Sequence, residues 1–131
     1  MVAHESCRKR DSVKADRLAR QGRGCEHAQR AASTYGAAAD HYGLASLGFW
    51  DRYGAATVSR LTLPAGGQVL DLCCGAGASA IPSAHAVAAT GRVLGIDVAA
   101  PLLKMARARA VREGLFTIEF RHGRRARDGI A

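Results

Sequence analysis

The sequence predicts an α/β fold, with N-terminal helices followed by the first βαβαβ half of a doubly wound parallel sheet. Three observations carry this. Val69-Leu70-Asp71-Leu72-Cys73-Cys74 is a short apolar run holding one acid, and Arg92-Val93-Leu94-Gly95-Ile96-Asp97 is a second run ending in another. Between them lie a turn, Gly75-Ala76-Gly77, and an alanine-rich segment of helical composition. Strands alternating with helical stretches imply right-handed crossovers and a parallel sheet.

Residues 1–28 are polar, Arg-rich and weakly patterned, and read as a frayed or disordered basic extension. Residues 29–63 read as helix in two pieces. Ala31–Tyr42 is alanine-rich, and Leu47–Leu63 carries Phe49, Trp50, Tyr53, Val58 and Leu61 at helical spacings. Pro64-Ala65-Gly66-Gly67 breaks the helix and opens the first strand, Gln68–Cys73, which is apolar enough to be central in a parallel sheet. A helix is expected from about Ala78 to Ala89. Pro82 lies near its first turn, where a missing N–H costs little, and Thr90-Gly91 ends it. The second strand is Arg92–Asp97. Pro101 opens the next helix and Gly114 closes it. Leu102, Met105, Ala106, Arg109 and Ala110 share a face of that helix, with Arg109 the polar intruder. In Phe116–Arg121, Phe116, Ile118 and Phe120 alternate with Thr117, Glu119 and Arg121, the pattern of an edge or half-buried strand.

The chain has 131 residues, room for one small domain but short for a doubly wound sheet of the usual strand number. No run approaches the ~18 apolar residues of a membrane span. The start lacks the apolar stretch of a signal peptide, and Glu5, Asp11, Asp16 and Glu26 argue against a transit peptide. A cytoplasmic protein is the expectation. The net charge of +8 sits at the two ends, as solvated basic tails do. Residues 1–30 hold 8 Lys/Arg against 4 Asp/Glu, residues 31–120 hold 7 against 6, and residues 121–131 hold 4 against 1. Specific nucleic-acid binding is not the expected use of this charge. The 4 cysteines, Cys7, Cys25, Cys73 and Cys74, have no metal-ligand spacing and imply no disulfide framework. Cys73 and Cys74 read as small residues filling a tight strand end.

The chemistry concentrates where the strands end, because ligands of open α/β sheets sit at the carboxyl ends of their strands. Gly75 and Gly77 supply permissive dihedrals and a bare backbone against which a ligand can lie. Gly75-x-Gly77-x-x-Ala80 also satisfies a dinucleotide pattern, which alone is weak. Asp71 separates the readings. A carboxylate beside the turn opposes a pyrophosphate but suits a ligand carrying a sulfonium and an ammonium. Asp97, about 20 positions after Gly75, is suited in either case to accept hydrogen bonds from ribose hydroxyls. Strand-end exposure or helix capping is the bland alternative for both acids. His41 and His85 read as surface or packing residues rather than bases.

Residues 69–77 resemble motif I of the class I S-adenosylmethionine-dependent methyltransferases, an acid followed by alternating glycines, with Cys73 in the first glycine position. The Asp-Leu-Cys-Cys-Gly-x-Gly form resembles the ubiquinone/menaquinone-type, methyltransferase type 11-like branch. Leu94-Gly95-Ile96-Asp97 is similar to the family's second motif, and Leu102-Leu103-x-Met105-Ala106 to the helix after it. Tyr35 and Ala39-Asp40-His41-Tyr42 resemble the upstream segment that covers the cofactor. The resemblance spans about residues 31–122. It implies a Rossmann-like fold, S-adenosyl-L-methionine as cofactor, and methyl transfer to an O, N or C atom of a small molecule. It places Asp71 near the methionine amino group, Cys73, Gly75 and Gly77 along the cofactor, Asp97 on the ribose, Val98 against adenine, and Tyr35 in contact with the cofactor. It names no catalytic base and no metal.

The chain departs from the family after the third strand. Members place Gly-Asp there, whereas Gly123 precedes Arg124 and Arg125. A codon choice exists in which deleting one C after the Gly123 codon reads Gly-Asp-Ala-Arg-Glu-Met. Residues 124–131 are therefore expected to be an out-of-frame, divergent basic tail on a truncated methyltransferase whose domain occupies residues 29–123. Half a sheet also leaves a strand edge unpaired. Two alternatives stay open: a non-catalytic cofactor-binding remnant or half-domain completed by a partner chain, and a nicotinamide-binding fragment.

Overall fold

The computed structural model describes residues 26–41 and 48–123. The expectations for residues 1–25, Tyr42 and the tail 124–131 lie outside the described residues. The chain divides into two units, Met1–Arg30 and Ala31–Ala131. Of the first, the described residues are helical; the account below concerns the second. The helix spanning residues 26–37 (α1) is followed by a 3-10 turn, Ala39–His41. Then come α2 (Phe49–Val58), β1 (Gln68–Leu72), α3 (Ala80–Val87), β2 (Arg92–Asp97), α4 (Ala100–Arg112) and β3 (Ile118–His122).

The strands form one parallel sheet in the order β1-β2-β3. Leu70 lies beside Leu94 and Leu72 beside Ile96, so Asp71 is level with Gly95. On the other side Gly95 pairs with Phe120 and Asp97 with His122. Each crossover helix packs onto the sheet. Ala80, Ile81, Ala84 and Val87 of α3 and Leu103, Ala106 and Ala110 of α4 enclose Val93 and Phe120 in the main core. Small residues recur at these helical positions because two helices share a narrow sheet face. Gly95 follows the same logic: a Cβ there would stand 2.7 Å from the Phe120 ring and 2.9 Å from Cys74 Sγ. A smaller cluster joins Ala39 to Ala99 and Leu102.

The Rossmann-like α/β expectation stands, with differences in detail. Among the described residues β1 pairs with β2 alone, the unpaired edge that half a sheet leaves. Leu70 and Leu72 remain 48% and 37% exposed, against 6% for Ile96 of β2. The largely apolar run suits a strand flanked on both sides, and among the described residues only β2 flanks it. α3 ends at Val87 because Ala88 turns to φ 59°, ψ −167°, far from helical values. α2 ends at Val58, and Thr62 at φ 49° separates it from the strand. β3 starts at Ile118, leaving Phe116 94% exposed. Among the described residues, no helix is long and apolar enough to cross a membrane.

Candidate functional site

Both acids lie at the carboxyl ends of adjacent strands, around the turn that leaves β1. The turn begins where Cys73 swings to φ 63°, and Gly75 and Gly77 follow at φ 52° and 89°. The Cys73 and Cys74 amides both donate to the Ile96 carbonyl, at 2.8 and 3.1 Å, which fixes where β1 leaves the sheet. The Gly77 amide then closes back on the Cys74 carbonyl at 2.8 Å. Three of five successive residues in the left-handed region coil the chain tightly. A Cβ on Gly77 would stand 3.1 Å from Ile81 and 3.4 Å from Ala106, so this glycine is needed for packing as well as for its dihedral.

Asp97 organises the turn from the next strand. Its Oδ2 accepts from the Gly75 amide at 2.8 Å and its Oδ1 from the Ala99 amide at 2.8 Å. Each carboxylate oxygen keeps a further lone pair for an outside donor. Asp71 Oδ2 accepts from the Ser79 hydroxyl at 2.7 Å. Burial pushes the Asp71 carboxyl above its ordinary range. The Ser79 hydrogen bond opposes that shift and the charge of Asp97 adds to it. Two partly buried carboxylates beside the half-buried turn favour cationic groups and hydroxyl donors.

Cys74 is a core residue, its thiol pushed up to about 12, chiefly by burial and then by the charges of Asp71 and Asp97. Cys73 is exposed on the turn. Val98 follows β2 at intermediate exposure. Its carbonyl accepts from His122 Nε2 at 3.0 Å, and the Gly123 amide donates to the Asp97 carbonyl at 3.1 Å, so the end of β3 borders the same place. Tyr35 is on α1 and 49% exposed, and no hydrogen bond among the described residues ties it to the acids. A Cβ added at its neighbour Gly36 would stand 3.8 Å from Pro101 Cγ at the start of α4. His41 is exposed, and His85, also exposed, pairs with Glu113 at 2.8 Å.

The structure therefore brings Asp71, Cys73, Gly75, Gly77, Asp97 and Val98 together and leaves Tyr35 apart from their hydrogen bonds. The sequence reading missed two residues. Ser79 sits in the position of a helix cap but gives its hydroxyl to Asp71, with no side-chain capping bond. Its location two residues past Gly77 at the start of a helix was the available signal. Gly54 lets α2 lie directly on the turn, since a Cβ there would fall 2.1 Å from the Ala78 carbonyl oxygen. No local signal marks that contact. Among the described residues there is no cluster of His, Cys, Asp and Glu able to hold a metal ion.

Several proteins similar to this chain are named methyltransferases. A demethylmenaquinone methyltransferase from Lactiplantibacillus plantarum is 36% identical over 70 residues, covering 53% of this chain and 30% of that protein. A nocamycin O-methyltransferase from Saccharothrix syringae is 41% identical over 58 residues, covering 44% and 21%. The crystal structure of a SAM-dependent O-methyltransferase from Thermotoga maritima shares the fold, with TM-score 0.51 and 20% identity over 56% of this chain and 28% of that one. The matched stretches span less than a third of the relatives' own lengths. Residues 26–127 match the model of the ubiE/COQ5 methyltransferase family, and the chain belongs to that family.

Proposed function

We propose that the turn between β1 and α3 binds S-adenosyl-L-methionine, and that the protein to which this chain belongs transfers its methyl group to a small-molecule acceptor. The observation that carries the reading is the pair Asp71 and Asp97 facing a turn of left-handed residues, with a carboxyl held above its ordinary range by burial. A cation placed beside Asp71 relieves that cost, as the ammonium of a methionine moiety would. A pyrophosphate on the same turn would meet the Asp71 carboxylate instead, which disfavours the nicotinamide reading.

The residues divide the work by chemistry. Asp71, oriented by Ser79, takes the amino group. The free lone pairs of Asp97 accept from ribose hydroxyls. Gly75 and Gly77, with the backbone of Cys73, present main chain without side-chain bulk. Val98 offers an apolar surface for adenine, and Tyr35 covers from α1. The bound cofactor supplies an electrophilic methyl group. The chain's part is to fix its position and exclude water, which is most of what an in-line displacement needs. The acceptor is proposed as a quinone-type small molecule, following the demethylmenaquinone methyltransferases among the relatives. Further strands, from the same polypeptide or a partner chain, would pair with the edge of β1 that is unpaired among the described residues and cover Leu70 and Leu72, supplying the acceptor side. The family and the charge distribution suit a soluble, cytoplasmic enzyme.

Titration calorimetry of the chain with S-adenosylhomocysteine tests the cofactor assignment. Binding that Asp71→Asn weakens at neutral pH supports it. Binding of NADH with none of S-adenosylhomocysteine would overturn it. Methyl transfer is then assayed on the full-length protein with a demethylated quinone.

A further inference from the structure

Arg109 interrupts the apolar face of α4, and the methyltransferase reading gives it no task. Its surroundings do. Nη1 donates to the Ala76 carbonyl at 3.2 Å and to Asp51 Oδ1 at 2.7 Å. Ala76 is the residue between Gly75 and Gly77, at the apex of the turn. Asp51 belongs to the first turn of α2, the helix that touches the same turn through Gly54. The Arg109 side chain is 21% exposed, so its stem lies along the core while its head reaches the carbonyl.

We infer that Arg109 is a positioning residue: it pins the apex of the glycine turn by the Ala76 carbonyl and is itself aimed by Asp51, so that α2, α4 and the turn act as one unit. Besides the Gly77 amide, which closes on the Cys74 carbonyl, the turn is tied to β2 through the Ile96 carbonyl and the Asp97 carboxylate. These hold the start of the turn. The carbonyl of Ala76 lies further along the turn, and it accepts from the guanidinium. A guanidinium suits the task because two N–H groups on a single nitrogen serve two acceptors at a fixed angle. A lysine ammonium has donors but no fixed plane. The inference rests on the reading that this turn carries the cofactor only for its effect on affinity, not for its effect on the turn.

The test uses the whole chain with Arg109→Met, Arg109→Lys and Asp51→Asn. Amide hydrogen exchange at Gly75 and Gly77 is compared with exchange at Val93 to Ile96 in β2, and S-adenosylhomocysteine affinity is measured beside it. Arg109→Met is expected to speed exchange in the turn about tenfold or more, the loss of a charge-assisted bond, while β2 stays unchanged. Arg109→Lys recovers part of the protection, and Asp51→Asn loosens the turn less than Arg109→Met. The dissociation constant for S-adenosylhomocysteine is expected to rise roughly tenfold in Arg109→Met. Unchanged exchange in the turn, or equal acceleration throughout β2, would overturn the inference, the second by making Arg109 a general stabiliser. If Arg109→Met does not fold, Asp51→Asn decides by the same exchange criterion. A parent chain that binds no S-adenosylhomocysteine defeats the cofactor reading, and exchange in the turn still decides the role of Arg109.

Discussion

The backbone N–H of Gly75 donates to Asp97 Oδ2 at 2.8 Å, joining residues 22 apart in sequence at the mouth of the candidate site. The same carboxylate takes the Ala99 amide on its other oxygen. Asp97→Ala removes both acceptors at once. It is expected to cost about 1–3 kcal/mol of stability and to weaken S-adenosylhomocysteine binding. Asp97→Asn keeps only one acceptor oxygen for two amides and should fall between. Urea titrations of the three proteins check the order.

Asp71 links stability and binding with opposite signs. Its carboxyl is held above the ordinary value of 3.8, so the folded state binds the proton more tightly than the unfolded chain. The contribution of this group to stability is therefore greatest below that value and declines as pH rises through the folded pKa. Asp71→Asn is expected to flatten that decline and to leave the protein at least as stable at neutral pH. In the parent, affinity for S-adenosylhomocysteine should rise with pH over the same window, as the carboxylate forms. In Asp71→Asn it should be weak and flat. Melting curves and calorimetry from mild acid to neutrality measure both. A parent affinity independent of pH counts against a carboxylate–ammonium contact.

Cys73 occupies a left-handed position that its Cβ disfavours. Cys73→Gly should stabilise the chain by about 1 kcal/mol, and Cys73→Val should destabilise it. The midpoints of denaturant unfolding give the comparison. The adjacent thiols should also differ in chemistry. Cys73 is exposed, whereas the Cys74 thiol is buried and pushed up to about 12, and only thiolates alkylate readily. Iodoacetamide with peptide mapping should mark Cys73 and spare Cys74 until the protein unfolds.

At Gly54 the expected effect is steric. Alanine would drive a Cβ to 2.1 Å from the Ala78 carbonyl oxygen, a backbone atom with little freedom to move. Gly54→Ala should cost about 1–3 kcal/mol and lower cofactor affinity, since α2 must lift from the turn. Gly36→Ala is the control: its nearest neighbour, Pro101 Cγ, is 3.8 Å from the added Cβ, so the melting temperature should change little. Equal effects at both positions would remove the steric explanation.

Much of this was legible in the chain itself. β2 runs from Arg92 to Asp97 as its pattern requires, and Asp71, Gly75 and Asp97 meet because strand-end acids and a glycine turn are local features. Helix ends were less legible. Ala88 and Thr62 take positive φ without being glycine, so nothing in their chemistry announces a break. The unpaired edge of β1 follows from half a sheet, and Val69, Leu70 and Leu72 keep the composition of a strand with two neighbours. Phe116 misled, its side chain continuing the alternation of β3 while standing almost wholly in solvent. The contacts of Ser79, Gly54 and Arg109 join separate elements, and no periodicity encodes which backbone oxygen a distant side chain will meet.

The bonds of the turn are internal to the protein: Ile96 to the Cys73 and Cys74 amides, Asp97 to Gly75, Cys74 to Gly77, Arg109 to Ala76. Such a surface is preorganised, so a ligand meets it in its final shape and little conformational entropy is lost on association. Recognition at this end of the sheet should then be limited by encounter rather than by rearrangement. Differences in affinity among ligands should appear in how long each one stays.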